Sequence, residues 1–410
     1  MAVGIEAINF YGGRTFLDVR RLFEGRKLDL RRFDNLMIKR KSVALPCEDA
    51  ISFGVNAAKP LVDSLADHDK QRIELLICAT ESGVDFGKSL STYLHAYLGL
   101  SRTCRLFEIK HACYAGTAAF QSAINFIVSN ACPGAKALVV ATDNSKAAIK
   151  GTYIEPSQGA GAVALLVSDQ PDVMEIDFGA NGYHSYEVMD SCRPTPEIET
   201  GDSDLSLVAY LDCLEQSFSA YSARVDNVDF AGTFDYLAFH TPFPGMVKGA
   251  HRMLMRKLKN ADAVLSEADF QRRVCPSLRY CVEVGNIYSA TLYLALCGLL
   301  DTVDLASPKR VGLYSYGSGC CAEFFSGIVG PAARSKIKPM NLQSRLDERY
   351  ELSMKEYDAL LEVNNEWTFG IKDRESDPGH YADIYQQVMR GRGLLVLTRI
   401  RNYHREYEWS

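Results

Sequence analysis

The stretch RLFEIKHACYAGTAAFQSAINFIVSN, residues 105–130, places a short strand-like run directly before a helix-length run of small and apolar residues. Further along the chain, residues 289–303 form a second helix-length run. Around these two segments lie short apolar runs typical of buried strands, at residues 74–80, 137–142, 162–167, 236–240 and 311–315. Alternating strands and helices predict an α/β layered fold with a largely buried sheet.

The order of landmarks repeats along the chain. In the first half a strand ends at Glu81 and a helix begins at Cys113, and in the second half a strand ends at His240 and a helix begins near Asn286. A glycine-containing triplet beside a strand follows in each half, at residues 159–161 and 317–319. This order indicates an internal duplication of one α/β unit. Polar residues at equivalent strand ends and helix starts then converge on one site.

The sequence contains no obvious linker, so we expect one unit over residues 1–410, with an N-terminal half at 1–170 and a C-terminal half at 171–410. The irregular stretch at 190–204 predicts a surface loop between the halves. The charged and aromatic region from residue 332 predicts helices packed on the surface, followed by a last strand at 393–401.

The composition excludes several classes of protein. Apolar residues make up 47% and charged residues 23%, which is typical of a globular chain. The net charge of −6 argues against a general nucleic-acid binder. The first residues lack a secretory pattern, and the longest apolar run, 288–300, is too short to span a membrane, which predicts a cytoplasmic protein. Twelve cysteines without a CxxC pair argue against a zinc site and indicate reduced thiols.

Cys113 differs from the other cysteines because it stands at a predicted helix start. Unpaired N–H groups and the positive end of the helix dipole lower the pKa of a thiol there and favour the nucleophilic thiolate. A buried, unreactive core thiol is the alternative interpretation.

Glu81 and His240 each end a predicted strand. A part-buried carboxyl before a glycine turn has a raised pKa and can act as a base and then as an acid. His240 is followed by Pro242, which stops the strand, and its imidazole can donate a hydrogen bond to a carbonyl oxygen or move a proton. A solvated carboxylate and a structural histidine are the alternatives.

The triplet at residues 317–319 and the pair Gly285-Asn286 are candidate oxyanion donors. Glycine allows backbone N–H groups to approach a ligand closely, and asparagine offers a side-chain NH₂ group. Gly-x-Gly triplets are also common in ordinary turns.

Two basic stretches stand out in this acidic chain. Residues 20–41 hold nine Lys or Arg and three Asp or Glu, a local charge of 9 − 3 = +6. Residues 248–259 carry five positive charges and no acid, and Lys248 is a candidate contact for a substrate phosphate. A concentrated positive patch predicts an anionic partner, with a solvated helix face as the alternative.

Taken together, these residues resemble the hydroxymethylglutaryl synthase family of the thiolase superfamily over nearly the whole chain. The motifs that carry the resemblance are ATESG at 79–83, ACYAGT at 112–117, GAGAVA at 159–164, HTPF at 240–243 with Lys248, GNIYSA at 285–290 and SYGSG at 315–319. The resemblance implies a thiolase fold, which is an α/β fold of two duplicated halves in a five-layered αβαβα arrangement. It also implies a homodimer.

The family's catalytic residues fall on Glu81, Cys113 and His240. By resemblance, Cys113 takes an acetyl group from a donor thioester and Glu81 removes a proton from the acetyl methyl. The enolate attacks the β-ketone of an acceptor thioester, which His240 orients and polarises while it helps to protonate the new alkoxide. Water then hydrolyses the Cys113 thioester.

The resemblance also implies how the substrates are held. The backbone N–H groups of Cys113 and Ser318 hold the thioester oxygen, and the acyl groups arrive on phosphopantetheine or coenzyme A. No metal or organic cofactor is implied. The residues implied in substrate binding are Asn286, Tyr288, Gly317, Ser318 and Lys248.

The N-terminal third resembles the family branch associated with polyketide synthases, including the curacin-type enzymes, at residues 26–35, 41–49 and 55–60. That branch uses donor and acceptor acyl carrier proteins in place of coenzyme A and installs β-branches. Carrier proteins are acidic, so the basic stretch becomes a candidate docking surface with Arg31, Arg32, Lys39 and Arg40. One departure is DSCRP at 190–194, where the family usually has aromatics before Arg-Pro; this changes the expected shape of the acyl pocket.

Three alternatives stay open at this point. The nearest is a primary-metabolism synthase that joins acetyl-CoA and acetoacetyl-CoA. A ketoacyl synthase of the same fold needs a different catalytic set, and Glu81 argues against it. A non-catalytic scaffold that only holds carrier proteins is disfavoured because Glu81, Cys113 and His240 are all present.

Overall fold

A computed structural model describes residues 2–145, 150–152, 154–195, 198–365, 367 and 369–410. Within these ranges the strands are β1 (Gly4–Tyr11), β2 (Thr15–Asp18), β3 (Arg40–Val43), β4 (Ile73–Ala79), β5 (Arg105–Ile109), β6 (Lys136–Asn144), β7 (Ala160–Ser168), β8 (Met174–Ser185), β9 (Ser191–Thr195), β10 (Ile198–Gly201), β11 (Tyr236–Phe239), β12 (Lys309–Gly317), β13 (Cys321–Val329), β14 (Tyr350–Glu351), β15 (Arg374–Glu375), β16 (Leu395–Arg401) and β17 (His404–Trp409).

The helices of the same ranges are α1 (Val19–Arg26), α2 (Arg31–Leu36), α3 (Ala50–Asp63), α4 (Asp67–Gln71), α5 (Ser91–Leu98), α6 (Ala115–Val128), α7 (Ser203–Arg224), α8 (Pro244–Lys259), α9 (Ala263–Arg273), α10 (Cys281–Val284), α11 (Thr291–Thr302), α12 (Pro331–Ile337), α13 (Leu342–Asp347), α14 (Met354–Asn365) and α15 (Ala382–Val388). Within the described part of the chain, no helix has the length and apolar character needed to cross a bilayer.

The main sheet has nine strands in the order β11-β12-β13-β8-β1-β7-β6-β4-β5. In one half β4 and β6 are parallel and β6 and β7 are antiparallel; in the other half β11 and β12 are parallel and β12 and β13 are antiparallel. The same pairing pattern in both halves agrees with the predicted duplication. Strand β1 lies in the centre, between β7 and β8, and so joins the two halves.

Alternating side chains of the strands separate three large apolar cores. Along β4, Leu75 and Ile77 face a core with α6 and α11, whereas Leu76 and Cys78 face a core with α3 and α5. Along β12, Leu313 faces the α6–α11 core. Its neighbour Tyr314 faces a third core with α7, α8 and α9. The two buried helices therefore lie between two parts of the sheet, with helices outside each part, as the five-layered prediction requires.

Capping side chains fix the starts of two long helices. Asp49 accepts hydrogen bonds from the backbone N–H groups of Ile51 and Ser52, and the Ser52 side chain accepts one from the Asp49 N–H. Asp202 caps α7 in a similar way. Caps of this type satisfy N–H groups that have no partner within the helix.

The predicted strands and both predicted helices are confirmed, within a few residues at each end. Two predictions were wrong. Residues 196–197 lie outside the described ranges. The rest of the stretch at 190–204 is not simply a surface loop, because it forms the paired strands β9 and β10 and the start of α7, and Asp190 is only 1% exposed. The strand at 393–401 is not the last one, because β16 pairs with β17 in a small sheet with β15.

Candidate active site

Glu81 follows β4 at the edge of the sheet where the parallel strands β4 and β6 both end. Its backbone N–H donates to the carboxylate of Asp143 on β6, at 2.8 Å. The same carboxylate accepts from Thr80, from the Ser82 backbone and hydroxyl, and from Ser289. Asp143 therefore fixes the Glu81 turn and joins it to the segment just before α11 in the other half.

Cys113 lies in the turn between β5 and α6 and is half-buried. Tyr114 is the N-cap of α6, so Cys113 stands one residue before the helix cap. The preceding Ala112 has a φ of 41°, a left-handed conformation that a residue with a Cβ adopts rarely and that recurs at functional sites. This turn presents the thiol at the helix start.

His240 directly follows β11, and its imidazole is 2% exposed. Its backbone N–H donates to Tyr314 on β12, and its backbone oxygen accepts from the Tyr210 hydroxyl. Nδ1 is buried and makes no hydrogen bond within the described ranges. Burial lowers the pKa of His240 to about 3, so the imidazole is neutral at physiological pH.

Two glycines let elements of the two halves approach closely. A Cβ on Gly317, at the end of β12, would lie 2.5 Å from the backbone N of Tyr114 and 2.8 Å from the backbone O of His111. A Cβ on Gly116, in α6, would collide with the backbone oxygen of Ser289. The Cys113 turn is therefore held between the end of β12 and the start of α11.

Replacing Gly317 with alanine is expected to displace the Cys113 turn, because a backbone group cannot yield as a flexible side chain can. We expect a loss of about 1–3 kcal/mol of folding stability and slower acetylation of Cys113. Thermal unfolding and intact-protein mass spectrometry measure the two effects. Gly249→Ala is the matched control, since a Cβ there meets nothing within 4 Å; equal effects of both changes would contradict the steric argument.

The segment GNIYSA places two predicted substrate residues beside this turn. Asn286 is 5% exposed, and its side-chain oxygen accepts from the Tyr288 N–H and the Thr291 hydroxyl. The Asn286 NH₂ group is thereby left as the donor. Tyr288 is 3% exposed, and its hydroxyl is buried with no hydrogen-bond partner among the described residues. Both side chains therefore retain a buried hydrogen-bond donor, and their role in binding the acceptor stays a prediction.

Arg193, on the β9–β10 hairpin, lies against Glu81. Its Nη2 is 3.5 Å from a Glu81 carboxylate oxygen and 2.7 Å from a Glu199 oxygen. The hairpin is anchored by the Asp190 carboxylate, which accepts from the Tyr316 hydroxyl at 2.6 Å and the Gly319 N–H at 3.0 Å. The departure noted at 190–194 therefore lies in a segment that covers the site, with Ser191 and Cys192 half-buried at its start.

The electrostatics of the site differ from one sequence prediction. Burial raises the pKa of the Cys113 thiol well above its usual value, and the charges of Glu81, Asp143 and Glu199 raise it further, while Arg193 opposes them. The prediction of a lowered pKa was therefore wrong. Desolvation and three carboxylates outweigh the helix dipole, which acts on a residue outside the first turn.

Glu81 behaves as predicted. Burial raises the pKa of its carboxyl, Arg193 lowers it, and the charges of Asp143 and Glu199 raise it. The net direction is upward, because desolvation disfavours the charged form of a carboxyl. Glu81 is therefore a stronger base, once deprotonated, than a solvated carboxylate.

Gly317 and Ser318 are the predicted substrate residues that lie at the end of β12, and Ser318 is half-buried beside the Cys113 turn. Lys248 lies on α8, where its Nζ is 2.9 Å from Glu267 of α9, and its side chain is 36% exposed. A phosphate contact of Lys248 stays a prediction. In the structure the Lys248–Glu267 ion pair links α8 to α9.

The predicted carrier-docking residues lie on or beside α2 and β3. Arg31 is 90% exposed and forms an ion pair with Asp29, and Arg32 and Lys39 are exposed. Arg40 differs, because it contacts Glu283 at 3.2 Å and stacks over the Phe16 ring. Arg40 is thus engaged within the fold, and the other three present more charge to solvent.

Four charged residues of the site were missed from the sequence. Asp143 had a usable signal, since it directly follows a predicted strand and so resembles Glu81 in position. Asp190, Arg193 and Glu199 lie in the stretch interpreted as a loop. The family resemblance had associated residues 190–194 with the acyl pocket, but it gave no role to these charged side chains.

The chain matches the family described as hydroxymethylglutaryl-coenzyme A synthase, its N-terminal part over residues 2–172 and its C-terminal part over residues 252–379. It is 52% identical over 418 residues to the polyketide biosynthesis 3-hydroxy-3-methylglutaryl-ACP synthase PksG of Bacillus subtilis, covering 100% of this chain and 99% of that relative. It is 35% identical to the hydroxymethylglutaryl-CoA synthase of Enterococcus faecalis, covering 88% and 92%.

Solved structures agree. The HMG synthase of the curacin biosynthetic pathway, in complex with apo donor-ACP, superimposes with a TM-score of 0.97 at 54% identity, over 100% of both chains. The synthase MvaS in complex with 3-hydroxy-3-methylglutaryl coenzyme A gives 0.87 at 32% identity, over 100% of this chain and 99% of that one. The predicted thiolase-type fold is thereby confirmed. With a relative 52% identical over its whole length and a matching fold, this chain belongs to the hydroxymethylglutaryl-CoA synthase family.

Proposed function

We propose that this protein is a condensing enzyme of polyketide β-branching that makes 3-hydroxy-3-methylglutaryl-carrier protein from acetyl-carrier protein and a β-ketoacyl-carrier protein such as the acetoacetyl form. The observation that supports it most is that the charge of Glu81 acts on the Cys113 thiol, while Gly317, at the end of β12, packs against the Cys113 turn. His240 follows β11, the parallel neighbour of β12. The related synthases PksG and the curacin enzyme carry this activity or these carrier partners in their names.

In the first step the Cys113 sulfur attacks the acetyl thioester. The thiol is neutral at rest because burial raises its pKa, so its proton must leave during the attack. Neutral His240 and the Glu81 carboxylate are the groups of the site that can accept it. The C–S bond to the carrier breaks, the new C–S bond to Cys113 forms, and the proton goes to the departing carrier thiol.

In the second step the Glu81 carboxylate removes a proton from the acetyl methyl. The enolate carbon then attacks the ketone carbon of the acceptor. A neutral His240 donates a hydrogen bond to the ketone oxygen as charge develops there. The Asn286 NH₂ group, whose partner oxygen is engaged by Thr291, is proposed to donate a second one. The alkoxide takes up the proton that Glu81 removed, with the help of His240. Water then cleaves the Cys113 thioester to leave a free carboxylate on the product and the thiol on the enzyme, and one proton passes to solvent.

These reaction steps need no metal and no organic cofactor, since a thiol, a carboxylate and an imidazole are enough to carry out each proton transfer and each bond change. The carrier's phosphopantetheine arm brings each acyl group. In the nearest rival, primary-metabolism synthesis from acetyl-CoA and acetoacetyl-CoA, the same three residues act on coenzyme A thioesters.

The carrier proteins are proposed to dock on the surface formed by α2 and α8. The two helices are in close contact, because a Cβ on Gly245 would collide with the backbone oxygen of Asn35. Helix α8 begins at Pro244, four residues after His240. The exposed arginines of α2 thus lie beside the element that leads into the site, where they can attract an acidic partner.

Reversing the charge of both arginines, in Arg31→Glu/Arg32→Glu, is expected to slow acetylation from acetyl-carrier protein about tenfold or more. Acetylation from acetyl-CoA should be slower than that from the carrier in the unmodified protein, and unchanged by the substitutions. Intact-protein mass spectrometry over time follows the acetyl adduct from each donor. Lys338→Glu, at an exposed position outside both basic stretches, is the matched control. Faster labelling from acetyl-CoA, unaffected by charge reversal, would favour the primary-metabolism reaction instead.

The proposal includes a homodimer. Strand β5 is an edge of the main sheet, and its apolar residues Leu106, Phe107 and Ile109 are only half-buried in the single chain. A second copy of the chain would cover this edge, whose unpaired N–H and C=O groups otherwise allow pairing with strands of unrelated chains. Light scattering coupled to size-exclusion chromatography measures the mass directly.

A further inference from the structure

Arg193 has an unusual setting for a buried cation. Its side chain is 14% exposed, with a Glu199 oxygen 2.7 Å and a Glu81 oxygen 3.5 Å from Nη2. Its Nη1 is buried and has no hydrogen-bond partner among the described residues. A buried guanidinium is normally satisfied by several acceptors, so this one retains a donor for a further group in the site.

The guanidinium is also held in place from other directions. Its central carbon lies 5.4 Å from the centroid of the Tyr288 ring, and the Tyr288 hydroxyl is itself buried without a partner in the described ranges. The hairpin that carries Arg193 is anchored at its base by Asp190. These contacts fix the position of the positive charge beside Glu81.

The charged and titratable groups that act on Glu81 come from several elements. Asp143 lies on β6, Arg193 on β9 and Glu199 on β10, while Cys113 and Tyr288 approach from the α6 and α11 sides. Arg193 is the one cation in this set. Because Glu199 is closer to Arg193 than Glu81 is, the two carboxylates compete for one positive charge.

We propose that Arg193 is a positioning residue, held by Glu199, that sets how much of Glu81 is ionised and therefore ready to remove the acetyl proton. This inference rests on the proposed role of Glu81 as the base. With Glu199 in place, Arg193 is drawn partly away from Glu81, which leaves a carboxylate basic enough for a weakly acidic methyl. A full Arg193–Glu81 pair would give an ionised but weaker base.

The two partners of this arrangement must have opposite effects. Loss of the Arg193 charge removes the interaction that stabilises ionised Glu81, so Glu81 loses its proton only at higher pH. Loss of the Glu199 charge removes a repulsion and frees Arg193 for Glu81, so Glu81 loses its proton at lower pH. A purely structural role of the hairpin predicts no such opposition, because both changes would simply weaken the fold.

The test is the pH dependence of single-turnover condensation. Enzyme preloaded with acetyl on Cys113 is mixed with acetoacetyl-carrier protein at several pH values, and product formation is followed by mass spectrometry. Acetylation removes the Cys113 thiol from the titrating set. The pH at which the condensation rate rises is expected to be higher by about 1 pH unit or more in Arg193→Gln. In Glu199→Gln it is expected to be lower by a similar amount. Arg193→Lys, which retains the charge, should return this pH towards its original value.

Two controls, Ile198→Ala and Glu81→Gln, separate the possible outcomes. Ile198→Ala alters an exposed apolar residue of the same hairpin and should leave the pH dependence of the rate unchanged. If Arg193→Gln does not fold, Glu199→Gln and Arg193→Lys still carry the test. If Glu81→Gln blocks condensation but the pH dependence of the rate does not shift in the Arg193 and Glu199 variants, or shifts in the same direction in both, the inference is wrong and the proposed function stands. If Glu81→Gln condenses normally, the proposed function itself is wrong.

Discussion

Cys113→Ser is expected to abolish the acetyl-enzyme and to reduce overall condensation by at least about 10³-fold. A serine hydroxyl is a far weaker nucleophile than a thiol, and the three carboxylates that disfavour a thiolate at residue 113 would also disfavour an alkoxide there. Intact-protein mass spectrometry with acetyl-carrier protein as donor measures the adduct. Circular dichroism and thermal unfolding establish that the variant is folded.

Cys132→Ser is the matched control for that experiment. Cys132 is half-buried beyond the opposite end of α6 and lies outside the site, so this variant should take up acetyl as the unmodified protein does. An acetyl adduct that persists in Cys113→Ser would show that another residue is the nucleophile. Loss of the adduct in both variants would point to a general effect of thiol removal.

Glu81→Gln has the second large expected effect, and it separates the two halves of the reaction. The amide still accepts hydrogen bonds but cannot remove a proton, so Cys113 should still become acetylated while condensation falls by about 10²–10⁴-fold. Because the Glu81 charge raises the pKa of Cys113, its loss makes the thiol easier to deprotonate, and His240 remains to accept the thiol proton during acetylation. Single-turnover measurement from the preloaded acetyl-enzyme separates these steps.

Glu48→Gln is a suitable control for a buried carboxyl. Burial raises the pKa of Glu48 to about 7, and its carboxylate accepts from the Tyr11 hydroxyl and the Leu45 N–H, away from the site. This variant tests whether loss of any buried carboxylate impairs the enzyme. Normal condensation by Glu81→Gln would remove Glu81 from the role of base.

The three proposed catalytic residues could be found from the sequence because each has a local signal. Glu81 and His240 end apolar runs, and Cys113 precedes a helix-length run. Strand ends and helix starts are where the chain leaves regular structure, and a one-dimensional pattern records those points well. The layered fold followed from the same alternation of short and long apolar runs.

The electrostatic state of these residues could not be found in the same way. Whether the Cys113 thiol is ionised depends first on its burial and then on the charges of Glu81, Asp143 and Glu199, and these groups come near it only after folding. Arg193 lies in a stretch without apolar periodicity, so the residue pattern did not predict a hairpin there, and only the family resemblance associated residues 190–194 with the acyl pocket. Local sequence determined where the reactive groups stand, and tertiary contacts determine their charges.

The central place of β1 has a consequence for how the protein is made. This strand leaves the ribosome long before its two sheet neighbours, which begin at Ala160 and Met174. At about 5–20 residues per second, the strand waits roughly 8–30 s for its first partner. During that time its apolar residues Ile5, Ile8 and Phe10 have no sheet to join, so the nascent chain is expected to depend on chaperone protection until β7 and β8 have emerged.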